Sequence, residues 1–279
     1  MAKLRNEIFV LCHLSPPSPN VIRVFEDQHP YRLQKKIEVA QIKYCIDFGS
    51  SEIENCLYAC DYDEKCVWKI TCERDDQHRI VKFLAPYHRP LSLSVCSDGQ
   101  LLVVSHSSST LRIYGSDTRL VRSIHLPPDM ENPRRAVETS TGNFIILHEM
   151  AQREREGETG LIGRRRVLNW GISELTRDGQ MVIRRFIPSD GTQQLSEPTY
   201  LSLDSDNRVL VADRKNNRVI LLDYDLKWTR ILCPTGEVEE PGILGSLRLS
   251  YDKEKKQLIV EGGQFYSREG VSVYSLNRK

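Results

Sequence analysis

Four cysteines, Cys56, Cys60, Cys66 and Cys72, crowd into seventeen residues and are the first candidates for chemistry. If they lie on two adjacent strands, alternation puts Cys56 with Cys60 on one face and Cys66 with Cys72 on one face of the next strand. A structural zinc site usually takes closely spaced pairs at turns, where thiolates are free to converge tetrahedrally. The second pair here runs along a strand, so buried thiols acting as small hydrophobes compete with zinc as the explanation. The histidines at 13, 29, 78, 88, 106, 125 and 148 recur at no common spacing, and Asp47, Glu138 and Asp204 share no register that would gather them around a metal. A metal-dependent hydrolase or lyase is therefore the weakest of three functional readings. No nucleophile-elbow, zincin or phosphate-loop pattern occurs.

The basic clusters offer a second chemistry. His88-Arg89, Arg134-Arg135, Arg164-Arg165-Arg166 and Arg214-Lys215 with Arg218 are the densest, and Tyr87, Phe265 and Tyr266 fall in comparable segments. Cations interleaved with aromatics suit phosphate contacts and base stacking by single-stranded RNA. Glu149, Glu154, Glu156, Glu158 and Asp213 lie among them and are able to cancel them as an ordinary ion-paired surface. Everything depends on whether the fold gathers these clusters.

The elements that would gather them are repeated. PTYLSLDSDNRVLVAD (Pro198 to Asp213) matches PLSLSVCSDGQLLVVS (Pro90 to Ser105) and PRRAVETSTGNFIILH (Pro133 to His148) without gaps. CLYACDYDEKCVW (Cys56 to Trp68) aligns on RVLVADRKNNRVI (Arg208 to Ile220), with fainter copies at Asn6 and Gln257. Second strands are expected to start near residues 8, 57, 101, 144, 209 and 258. Short apolar strands joined by Asp, Asn and Gly turns with a period in the forties are the mark of propeller blades. The chain is read as one all-β domain over 1–279, a six-bladed propeller of four-stranded antiparallel blades, with a loop insertion at about 149–166. The first unit lacks a clear innermost strand and the last a clear outermost one. Trp68, Trp170 and Trp228 are expected to pack between blades, and Arg184-Arg185 to guard an outer edge.

ADRKNNRVILLD, preceded by PTYLSLDSDNRVLV, resembles an NHL repeat, with its Pro-led inner strand, V-A-D strand end and N-N-R-V hairpin. Cys60-Asp61 with Lys65-Cys66-Val67 keeps part of that pattern. The resemblance implies a six-bladed propeller serving as a binding module for RNA or protein, often in tripartite-motif proteins. The chain has no RING or B-box cysteine spacing to support ligase activity.

Composition agrees with a globular chain: 39% hydrophobic and 28% charged residues over 279, with a net charge of +1. Attraction to an acidic partner must then come from local patches. No apolar run approaches the ~20 residues of a spanning helix. The N-terminal apolar stretch is broken by Glu7 and His13, which makes a poor secretory signal, and no N-x-S/T acceptor occurs. A cytoplasmic chain with reduced thiols, no membrane contact and no cofactor is expected. Its function is expected to be non-catalytic, an interaction scaffold binding a protein partner through the face that bears the second-to-third-strand and inter-blade loops. Single-stranded RNA is the alternative partner on that face.

Overall fold

The computed structural model describes residues 2–12, 19–27, 32–72, 78–85, 89–105, 107–151, 169–188, 193–233, 248–252, 254–263 and 269–275. The first sheet contains β1 Ala2–Leu4, β2 Glu7–Cys12, β3 Val21–Glu26 and β4 Leu33–Glu38. The second contains β5 Cys45–Ser51, β6 Cys56–Asp61, β7 Cys66–Cys72 and β8 His78–Leu84. The third contains β9 Pro90–Val95, β10 Leu101–Ser105, β11 Thr110–Tyr114 and β12 Leu120–His125. The fourth contains β13 Met130–Glu138, β14 Phe144–Met150, β15 Trp170–Leu175 and β16 Val182–Phe186. The fifth contains β17 Pro198–Leu203, β18 Val209–Asp213, β19 Arg218–Leu222 and β20 Trp228–Cys233, and the last contains β21 Arg248–Asp252, β22 Gln257–Gly263 and β23 Glu269–Ser275.

Each sheet is an antiparallel meander, and innermost strands β1, β5, β9, β13, β17 and β21 touch in succession around an axis. The expectation of six four-stranded blades needs correction. Five blades have four strands, and the sheet that fills the gap between the fifth and the first has three among the described residues. The innermost strand absent from the sequence reading is β1, three residues paired with β2.

Middle strands are largely apolar, with polar residues mainly at their ends, because a blade wedged between two others buries both faces. Every residue of β6, β10, β18 and β19 is buried, and such strands read as continuous apolar runs. Outer strands such as β12 are mostly exposed, with Ile124 its one buried residue. Apolar clusters then fill the spaces between successive sheets, from Ile22, Phe48 and Leu57 between the first and second to Tyr200, Leu210 and Leu258 between the fifth and last. Trp170 packs between the fourth and fifth sheets with Leu147, Leu201 and Val211, while Trp68 and Trp228 lie at the margins of similar clusters. No helix among the described residues is long and apolar enough to cross a membrane.

Candidate functional site

In a meandering blade, the link from one outer strand to the next inner strand emerges at the same end as the second-to-third-strand loop. Two buried aspartates fasten these loops together. Asp61, at the end of β6, accepts the Lys43 N–H at 2.7 Å and the Tyr44 N–H at 3.2 Å from the link before β5. It also takes the Asp63 and Glu64 N–H groups and the Trp68 indole, each at 3.2 Å. Asp213, in the matching position of β18, accepts the Ser196 N–H at 2.8 Å, Asn216 Nδ2 at 2.8 Å and Arg218 Nε at 2.9 Å. The Asn-Asn turn is a short 3-10 turn over Arg214–Asn216, and Asn217 takes the left-handed conformation at φ 46° that asparagine tolerates well.

These clamps hold a cavity of about 380 Å³ at the axial mouth, lined by Tyr44, Ile46, Tyr62, Leu91, Arg134, Trp170, Glu197 to Thr199 and Arg214. The second to fifth sheets all contribute. Arg134 lies over the Trp170 ring, 5.4 Å from its centre, and stands 4.0 Å from Glu149. That glutamate also accepts Asn132 Nδ2 at 2.9 Å. Arg214 pairs with Glu197 at 3.1 Å. Glu197 has φ 67°, an uncommon conformation for a non-glycine residue. Arg89, exposed beside the cavity, sits over the Tyr62 ring at 4.5 Å, and Tyr44 meets Tyr62 edge to face with centroids 6.3 Å apart. Lys215 is exposed on the same loop as Arg214. Asp63 and Glu64 follow Tyr62, the latter 3.6 Å from Lys82.

Arg89, Arg134, Arg214 and Lys215 thus share the expected end of the molecule. Arg135 and Arg218 are corrections, because both turn inward. β13 carries a register shift near Pro133, and alternation along the strand beyond it sends the adjacent arginines to opposite faces. Arg135 is 6% exposed. It donates to Asp47 at 2.5 Å, Ser92 Oγ at 3.3 Å and the Leu201 carbonyl at 2.8 Å, and lies 3.5 Å from the Tyr200 ring centre. Asp47 also accepts the Leu93 N–H at 2.8 Å. One guanidinium therefore joins inner strands of four sheets. Arg218 is buried between Asp213, the Gln194 carbonyl at 2.7 Å and Trp228. His88, Arg164, Arg165, Arg166 and Tyr266 lie outside the described residues, as do Tyr87 and Phe265.

Within the cysteine cluster Cys56, Cys60 and Cys66 are buried free thiols, as are Cys45 and Cys96, and the Cys72 side chain lies outside the described residues. Burial pushes Cys45 and Cys96 up to about 12 and Cys66 up to about 11, which keeps them protonated and unreactive. No group of three or more His, Cys, Asp or Glu able to hold a metal occurs among the described residues. Asp47 is engaged by Arg135, Glu138 accepts the Ser97 N–H at 2.6 Å, and Asp204 caps its own turn through Asp206 and Arg208, so these three carboxylates do not converge. His148 is fully buried, bonded to the Glu149 carbonyl at 2.9 Å and Ser173 Oγ at 2.8 Å. Burial holds its imidazole below the ordinary range. Arg184 and Arg185, on outer strand β16, bond across to the Tyr224 carbonyl and Asp129.

The sequence reading missed Tyr44, Tyr62 and Glu197. A usable signal was their position just outside strand ends, on loops that reach the same rim.

No family model and no curated protein matches the chain. Similar solved structures include hydrazine synthase of Kuenenia stuttgartiensis, with TM-score 0.62 and 13% identity over 91% of this chain and 89% of that one. A protein of unknown function from Bacteroides caccae gives TM-score 0.60 and 13% identity over 92% and 84%. A candidate gluconolactonase gives 0.55 and 16% over 79% and 70%. At such identities the likeness establishes a β-propeller fold, while membership of the NHL family is not shown.

Proposed function

We propose that the chain is a non-catalytic interaction module whose protein partner docks on the end bearing the second-to-third-strand and inter-blade loops. The observation that carries this reading is the axial cavity, which four sheets build from loops fastened by Asp61 and Asp213. Rigid scaffolds that present loops in this way are common binding devices. The gluconolactonase-like propeller raises an enzymatic alternative, but among the described lining residues Glu197 is the carboxylate, it is paired with Arg214, and no histidine lines the cavity beside it. Single-stranded RNA is the second reading, supported by Arg89, Arg134 and Lys215 on one rim. A photo-crosslinking residue placed at Tyr44 or Lys215 should capture the partner, whereas one placed at exposed Ser205 or Ser97 on the opposite end should not. Capture confined to the opposite end overturns the proposal. An RNA partner instead would reveal itself by binding that falls steeply as salt rises.

A further inference from the structure

Two of the three aromatic rings in the cavity already carry a guanidinium: Tyr62 beneath Arg89 and Trp170 beneath Arg134. A nucleobase needs an open ring face, and each of these two rings has one face taken by a cation. An arginine held over a ring keeps its N–H donors in the guanidinium plane, where they suit a carboxylate bound through two oxygens.

The charges around the cavity are unevenly paired. Arg214 is satisfied by Glu197 at 3.1 Å. Arg134, with a side chain 46% exposed, has Glu149 at 4.0 Å, and that carboxylate is shared with Asn132. Arg89 and Lys215 show no ion pair among the described residues. Ile46, Leu91 and Pro198 supply an apolar wall for a methylene stem. A volume of about 380 Å³ is at the small end of ligand pockets, which span ~300–1,000 Å³. That is room for one side chain and its flanking backbone.

We infer that the cavity receives a Glu or Asp side chain from an extended acidic segment of the protein partner, its carboxylate bound by Arg134 with Arg89 beside it. Glu197 is then an internal competitor, a carboxylate of the chain itself on the neighbouring arginine. The inference rests on the protein-binding reading above and narrows it to one ligand chemistry.

The test is fluorescence anisotropy with labelled extended peptides carrying Glu or Asp, matched peptides with Gln or Asn, and single-stranded RNA. Acidic peptides should bind and their matched amides should not. Arg134→Ala should weaken binding about tenfold or more, the loss of a charged hydrogen-bonded contact. Because its side chain is half exposed, the variant should keep the wild-type thermal midpoint. Glu197→Gln should tighten binding roughly two- to fivefold by freeing Arg214, on the scale of an exposed ion pair; a folding defect would not produce a gain. If amide peptides bind as well as acidic ones and the arginine is indifferent, the carboxylate inference falls while the protein-binding reading stands. If RNA binds and no peptide does, both fall. Failure of every acidic peptide to bind overturns the inference.

Discussion

At the scale of single residues, the buried polar groups carry more consequence than the exposed ones. Arg135 and Asp47 form a buried pair, so removing one partner strands the other's charge. Arg135→Ala should cost about 3–5 kcal/mol, measured as a fall in the urea midpoint with little change in slope. The double replacement Arg135→Met with Asp47→Leu should recover part of that loss, since no charge is then left uncompensated. Asp61→Ala is expected to orphan the Lys43 and Tyr44 amides, at about 1–3 kcal/mol for a buried donor, and to release both cavity tyrosines. The checks are chemical unfolding and reduced binding by the variant. None of this was legible in the sequence. Arg134 and Arg135 are adjacent and identical in type, and the register shift beside them recurs in β5, β9 and β17, so nothing in the repeat marks which of the two turns inward. Asp61 and Asp213 could be aligned through A-C-D and V-A-D, yet the donors they collect come from links that share no motif.

Elements were easier to read, for a reason visible in β6, β10 and β18. Strands with two neighbours and two covered faces are apolar over most of their length, so their starts stand out against Asp, Asn and Gly turns. β1 escaped because it is three residues long and centred on Lys3, which no periodicity can reveal. The last sheet, three-stranded among the described residues, is the unit for which the pattern offered no clear outermost strand. Turns fix how neighbouring sheets meet. Gly179 has φ 75°, and a Cβ there would stand 2.2 Å from Cγ2 of Ile124 on the third sheet. Gly179→Ala therefore combines a left-handed penalty with a clash and should destabilise by roughly 1–3 kcal/mol. Thermal unfolding tests this, with Gly99→Ala as the comparison, where the added atom meets ordinary contacts near 3.4 Å.

For the whole molecule, the joint between the last sheet and the first differs from the others. Among the described residues no apolar cluster spans it. Instead Lys3 bonds Asp252 at 2.6 Å and Asp27 at 3.0 Å, and Lys255 meets Asp27 at 2.9 Å. Burial acts to raise the Asp252 carboxyl, but the Lys255 amide and Lys3 outweigh it and hold the group below its usual range. Its contribution to folding is thus complete above the unfolded value, ~3.9, and fades as pH falls through the lower folded value. Burial acts to lower Lys3, but its bonds to Asp252 and Asp27 prevail and raise it, so its contribution fades only as strong alkali is approached. Hydrogen exchange should accordingly quicken first in Ala2–Leu4 and Arg248–Asp252 below about pH 4; uniform acceleration across all sheets would refute this. The cavity is built by the second to fifth sheets and touches neither side of that joint. A bracelet unlatched at its clasp would still hold its stone: ligand affinity should outlast the closed ring, and a bound ligand should shield the middle sheets while leaving the latch as quick to open as before.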